Sequence, residues 1–213
     1  MRIRRAFLLL PVLLVAVSWF SQTDTWKKTR ALHFPKRPDR KETSARSTER
    51  MLEKAREARR FTAAKGMNIR VCFLTDMELP SGQQRFFIYD LQGDSLLSSA
   101  LVAHGNCFEY WLEGRRYSNV VGSGCTSLGK YRIGKSYTGK WGYSYKLHGL
   151  DSSNNNAFER TVVLHGHSCV PETATTDEIC QSNGCPTVAP SFLLRLKGII
   201  NSSSKPILLW IYD

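Results

Sequence analysis

No stretch of this 213-residue sequence reaches the roughly 20 consecutive apolar residues that a membrane-spanning helix needs. The longest apolar run, Ala6 to Phe20, has 15 residues and is broken by Pro11 and Ser18. No Cys-x-x-Cys pair is present, so the commonest half-site for structural zinc is missing. There is no internal repeat, which sets aside solenoids and propellers. Charge is nearly balanced over residues 67–213, with 13 Lys/Arg against 12 Asp/Glu. A nucleic-acid-binding domain would carry a basic face on its folded part, so that class is set aside as well.

The net charge of +12 belongs to the N-terminal third. Residues 1–21 hold three Arg and no acid, and residues 22–66 hold 14 Lys/Arg against 6 Asp/Glu. Arg2, Arg4 and Arg5 precede the apolar run, and Ala16-Val17-Ser18 offers a small-x-small cleavage site. Residues 1–21 therefore read as a signal peptide, with an uncleaved membrane anchor as the alternative and a buried helix of a cytosolic protein as the bland one. The six Lys/Arg from Lys27 to Arg40 outnumber the three before the run, which by the positive-inside rule alone would keep the C-terminal part in the cytoplasm. Residues 22–43, with Pro35 and Pro38, read as an extended linker. Over 44–65 the pattern is helical: Glu49, Glu53 and Glu57 recur every four residues, as do Arg56 and Arg60, and Gly66 ends it. Its large apolar residues are only Met51, Leu52 and Phe61, so the expectation is a solvated stalk. Residues 22–66 thus form a basic linker and helical stalk suited to an anionic membrane or wall polymer.

After Gly66 the pattern turns to β. Runs at 69–74, 85–91, 95–103, 129–133, 143–150, 161–165 and 206–212 are bounded by Gly, Ser, Asn or Asp. One helix is predicted from Ser191 to Ile200, started by Pro190-Ser191, with Phe192, Leu193, Leu196, Ile199 and Ile200 on its apolar face. The fold class is mostly β, a sandwich or barrel-like sheet with one or two short helices. Six cysteines, at 72, 107, 125, 169, 180 and 185, are many for a cytosolic domain. Spacing alone does not fix their connectivity. Cys169 with Cys180 and Cys107 with Cys125 are the pairings that suggest themselves, and Cys72 reads as a small buried hydrophobe.

The chemistry concentrates in two short segments, Thr161-Val162-Val163-Leu164-His165-Gly166 and Ser182-Asn183-Gly184-Cys185-Pro186. The first is a strand that delivers an imidazole to its end. The second is a tight turn presenting a thiol, after which Pro186 is expected to end regular pairing. A nearby imidazole can hold such a thiol as the nucleophilic thiolate. The backbone N–H groups of Gly184 and Cys185 are candidates for an oxyanion site, with Ser182 bracing the turn. The alternative use of His165, His167, Cys169, Cys180 and Cys185 is zinc binding, but the spacing matches no common pattern, and no metal or other cofactor is expected.

These segments resemble the active-site signature of murein L,D-transpeptidases, in the branch with Cys-Pro after the glycine. Phe86 to Leu91, Ala103-His104-Gly105, Ser118-Asn119, Ser127-Leu128-Gly129, Tyr143-Ser144, Leu147 to Leu150, Asn154 to Ala157 and Arg160 follow in the order of that branch, over roughly residues 67–213. The resemblance implies a catalytic domain at 67–213 that acts outside the cytoplasmic membrane on peptidoglycan stem peptides, and a monomer. Cys185 would form an acyl-enzyme with a stem tetrapeptide and pass it to an amine of a neighbouring stem, with His165 as base. Water as acceptor would make an L,D-carboxypeptidase, and a non-catalytic wall-binding protein with structural cysteines is the other reading. His148 is expected to contact substrate or to support the site by hydrogen bonding. Arg160 is expected to bind a carboxylate or form a surface ion pair. Asn183 and His167 are further candidates for substrate contact. The sequence departs from the larger family at Asn183, often His there, at Pro186-Thr187-Val188, where an Arg often follows, and at His167, usually small or acidic. The carboxylate-anchoring role of that Arg therefore does not carry over.

Overall fold

Period-two alternation sets the sheet. In β6 (Gly142–Gly149), Tyr145 and Leu147 enter the core while Ser144, Lys146 and His148 turn away from it. In β7 (Val163–Gly166), Leu164 enters the core and His165 faces the opposite side. The computed structural model describes residues 40–213, with side chains from residue 45 onward. The expected signal or anchor at 1–21 and the linker as far as residue 39 lie outside the described residues.

The remaining strands are β1 (Val71–Asp76), β2 (Phe86–Asp90), β3 (Ser95–Ala100), β4 (Val102–Ala103), β5 (Gly129–Gly139), β8 (Thr187–Val188) and β9 (Leu208–Tyr212). They pair in the order β3-β2-β1-β9-β5-β6-β7-β8-β4. Leu101 alone separates β3 from β4 in sequence, yet these two stand at opposite ends of the pairing order. The sheet must therefore curl until its edges nearly meet, giving a barrel-like, mostly-β fold. Phe73, Phe86, Tyr131, Leu147, Leu164, Val188 and Leu209 fill its interior. Helix α2 (Pro190–Ser202) closes one side with Phe192, Leu193 and Leu196, and Phe192 meets Phe86 edge-on at 5.4 Å.

Two expectations are corrected. Pairing does not end at Pro186: Thr187 and Val188 pair in parallel with His165 and Gly166 and antiparallel with Ala103 and Val102. Proline removes only its own N–H, so the ladder resumes at the next residue. The second correction concerns α1 (Arg40–Ala64), which is not a solvated stalk. Met51, Ala55, Ala58 and Thr62 form a buried stripe at helical spacing. They pack on Cys72, Leu74, Tyr89, Trp210 and Tyr212, on the side of the sheet opposite the main core. Arg50 pairs with Asp76 at 3.0 Å, Arg59 with Asp94 at 2.9 Å, and the Lys54 ammonium lies 4.8 Å from the Trp210 ring. Alanines allow this close approach, so the helix docks although it has few large apolar side chains. Among the described residues, no helix is long and apolar enough to cross a membrane.

Ala58 is fully buried in this contact. Ala58→Leu should overpack it and lower stability by about 1–3 kcal/mol in denaturant unfolding. The exposed Glu53→Ala should change stability by less than about 0.5 kcal/mol. Equal stabilities for the two variants would mean that α1 does not dock in solution.

Candidate active site

The turn that carries Cys185 is fixed by backbone contacts on both sides. Ser182 N–H donates to His104 O at 2.8 Å, and Asn106 N–H donates to Ser182 O at 2.8 Å. Ser182 Oγ donates to Cys185 O at 2.7 Å and accepts from Gly184 N–H at 3.2 Å. Gly184 has φ +105°, in the left-handed region, and a Cβ there would lie 2.7 Å from Cys125 O. Gly105 faces the same crossing, where a Cβ would lie 2.4 Å from Gly124 O. Behind the turn, the buried Arg85 guanidinium binds Val102 O and Leu79 O and donates to His104 Nδ1 at 3.0 Å. Burial and that cation hold the His104 imidazole down at about 4, so it stays neutral.

His165 comes to the same place through its pairing with Thr187. Its Nδ1–H donates to Gly166 O at 3.2 Å, which leaves Nε2 with the lone pair. The Thr187 hydroxyl is 3.0 Å from Nε2 and 3.3 Å from Cys185 O. It can donate to the neutral imidazole, or accept from the protonated one and turn its hydrogen to Cys185 O. Trp141, in the β5–β6 hairpin, stacks on His165 with ring centroids 5.5 Å apart and 20° between planes. Neither Thr187 nor Trp141 was singled out from sequence. A lone Trp in a Gly-rich hairpin and a Thr after a proline carry no local signal of such contacts.

Cys185 and His165 line one cavity of about 120 Å³, together with Trp141, Ser182, Asn183 and Thr187. No hydrogen bond joins thiol and imidazole. Cys185 Sγ instead lies 3.5 Å from Val163 N–H, two residues back along β7. Burial raises the Cys185 thiol above its ordinary value, against the pull of that N–H and of the Arg160 charge. Burial also lowers His165, with His167 adding to it and the Gly166 bond opposing it. Both shifts favour the neutral forms, a thiol beside an uncharged imidazole.

Of the other expected residues, Asn183 and His167 line the same cavity, and Arg160 and His148 do not. Arg160 is neither a free carboxylate binder nor a surface ion pair: Nη1 binds Ser118 O and Ser127 Oγ, and Nη2 binds Ser123 Oγ and Cys125 O at 2.5 Å. It ties the Cys125 segment under the turn. His148 lies outside the cavity, stacked on Phe158 at 5.0 Å. Asn183 is exposed at the tip of the turn, and His167 stands at the rim, edge-on to Trp141 at 5.9 Å. Cys169 is bonded to Cys180 and Cys107 to Cys125, leaving Cys72 and Cys185 free among the described residues. The Cys169–Cys180 bond removes two of the five donors that zinc would have used.

The curled sheet thus presents a free thiol and an imidazole in one cleft. The profile of the L,D-transpeptidase catalytic domain matches residues 43–212, and the chain belongs to that family. The match takes in α1 from residue 43 onward. No curated protein matches the sequence. Among solved structures, the helical cell shape determining protein of Campylobacter jejuni is similar at 11% identity and TM-score 0.45, over 67% of this chain and 47% of that one. An L,D-transpeptidase from Enterococcus faecium is similar at 12% identity and TM-score 0.39, over 67% and 50%. One from Mycobacterium tuberculosis H37Rv stands at 10% and 0.37, over 68% and 58%. The chain thus spans about half the length of these relatives.

The directions of the two shifts set a pH dependence. Cys185 alkylation by iodoacetamide should rise through an apparent pKa above the ordinary 9.0 of a thiol. An inflection well below 9, near neutral pH, would instead reveal a resting ion pair with His165.

Proposed function

We propose that this protein is a cysteine-dependent peptidoglycan L,D-transpeptidase. The observation that carries the reading is the free Cys185 thiol facing one cavity with His165, whose Nε2 holds a lone pair. As a stem tetrapeptide seats, Cys185 Sγ leaves Val163 N–H and gives its proton to His165 Nε2. The thiolate adds to the carbonyl of the L-centre before the terminal D-residue. The oxyanion is met by Cys185 N–H, which has no partner among the described residues. Gly184 N–H is already held by Ser182 Oγ, so it is not the first donor. The C–N bond breaks, His165 returns the proton to the departing amine, and a thioester remains. An amine of a neighbouring stem attacks that thioester, His165 takes its proton, and the new amide releases Cys185. Nδ1–H bonding to Gly166 O keeps the imidazole oriented through the cycle, the part usually given to an acidic third member.

With water as acceptor the same residues would give an L,D-carboxypeptidase. Two disulfides support an oxidising compartment, and with the substrate they favour the periplasm or wall space. The basic N-terminal third would then face anionic membrane or wall polymer.

Incubation with tetrapeptide muropeptides or a carbapenem, followed by intact mass, should show one adduct per chain. Cys185→Ala should abolish it and Cys72→Ala should leave it intact. His165→Gln should slow acylation by about 10²–10⁴-fold. An adduct on the Cys185→Ala protein would sink the assignment. Cross-linked dimers among the products identify the transpeptidase, and trimmed tripeptides alone the carboxypeptidase.

A further inference from the structure

The β5–β6 hairpin, residues 129–149, carries Lys130, Arg132, Lys135, Lys140 and Lys146 and no Asp or Glu. Lys130 pairs with Asp151 at 3.6 Å. The other four form no ion pair with a described residue. Lys146 is distinct among them in where it stands and in how it is held. It pairs in register with Val163, whose N–H touches Cys185 Sγ. Tyr145 and Leu147 on either side enter the core, so Lys146 projects from the same face of the sheet as His165. Two strand spacings place its backbone about 10 Å from that of Cys185. Its ammonium lies 5.7 Å from the Tyr137 ring centroid and 5.5 Å from that of Phe158, and both rings are exposed. Two rings thus hold a cation on the nucleophile's face with no carboxylate to meet it. Arg132 stands beside it, paired in register with His148. Arg132 and Lys146 both help burial to disfavour the charged form of His148.

Both terminal nitrogens of Arg160 are bonded internally, so it offers no free guanidinium to a substrate. We propose that Lys146, flanked by Arg132, is the anchor for a carboxylate of the donor peptide. This rests on the transpeptidase reading and names what that site selects: a donor with a free carboxylate two to three extended residues from the carbonyl that Cys185 attacks, at about 3.3–3.6 Å per residue. The Tyr137 and Phe158 rings flank the ammonium and offer apolar sides to the aliphatic part of such a peptide. The carboxylate is bound equally before and during acyl transfer, so the anchor acts on KM rather than kcat.

The test uses the full chain and two synthetic donor tetrapeptides. Both keep the terminal carboxyl; one has its other carboxylates free and the other has them amidated. Release of the terminal D-residue gives kcat and KM, and intact mass gives acylation of Cys185. Lys146→Met should raise KM for the free-carboxylate donor about ten-fold, the size of one charge-assisted hydrogen bond, with kcat unchanged. It should not change KM for the amidated donor. Lys146→Arg should keep most of the preference, and Lys205→Met should keep all of it. Equal KM for both donors in the wild-type protein, or an equal rise for both in Lys146→Met, would overturn the anchor while leaving Cys185 acylation in place. Failure of both donors to acylate wild-type Cys185 would overturn the transpeptidase reading and the anchor with it.

Discussion

Three backbone segments cross beside the nucleophile with no room for a side chain between them. Gly105, Gly184 and the Gly124–Cys125 peptide approach so closely that a single Cβ at either of the first two would collide with backbone oxygen. Everything at the site follows from this crossing. It sets where the turn sits, hence where Cys185 points. Arg160 and the Cys107–Cys125 bond hold one segment, and the His104–Ser182–Asn106 hydrogen bonds hold the others. Parallel pairing of Thr187 with His165 then fixes the imidazole relative to the same turn. Cys185 and His165 thus come from separate parts of the sequence but from one rigid junction, the preorganisation that the proposed acyl transfer would need.

That rigidity coexists with a burial that works against charge on both groups. Burial acts in opposite directions on the two groups, raising the thiol and lowering the imidazole, because it disfavours whichever form is charged. A protonated thiol reacts slowly with oxidants and disulfides. Such a protonated thiol would be shielded from oxidation, which matters for Cys185, the partly exposed one of the two free cysteines among the described residues. In the proposed reaction, activation waits for substrate, whose carbonyl makes proton transfer from sulfur to Nε2 productive. The Trp141 face stacked on His165 favours the imidazolium at that moment and adds no formal charge of its own.

How much of this was legible in sequence follows from the range of each interaction. Strand positions and α2 were readable, because periodicity and turn residues are local; His165 and Cys185 share one cavity, and the two suggested disulfides are the ones formed, although spacing alone did not fix them. The docking of α1 was missed because volume was read as the measure of burial. Its stripe of Met51, Ala55, Ala58 and Thr62 keeps helical spacing but buries by proximity, which needs the flat partner surface of Trp210 and Tyr212 to be meaningful. β8 was missed because two residues are too short for a pattern, and Pro186 looked like a terminator. The roles of Arg160 and Arg85 depend on carbonyl groups 6 to 42 residues away in sequence, which no spacing encodes.

The distribution of charge over the folded part gains meaning only once the sheet is curled. Residues 67–213 are close to neutral in sum. Yet the acids and bases do not mix evenly: a hairpin with five cations and no carboxylate forms the wall next to β7. The same alternation that puts Tyr145 and Leu147 inside turns Lys146 to the sheet face that also carries His165. A neutral domain can therefore keep a local positive field at its reactive face, where partly desolvated charges interact more strongly than on an open surface. Core packing and substrate selection are in this way two faces of one strand pattern. A one-residue slip of β6 would exchange them, moving the lysine into the core and the apolar residues onto the cleft, so selection for a packed interior also preserves the charged wall.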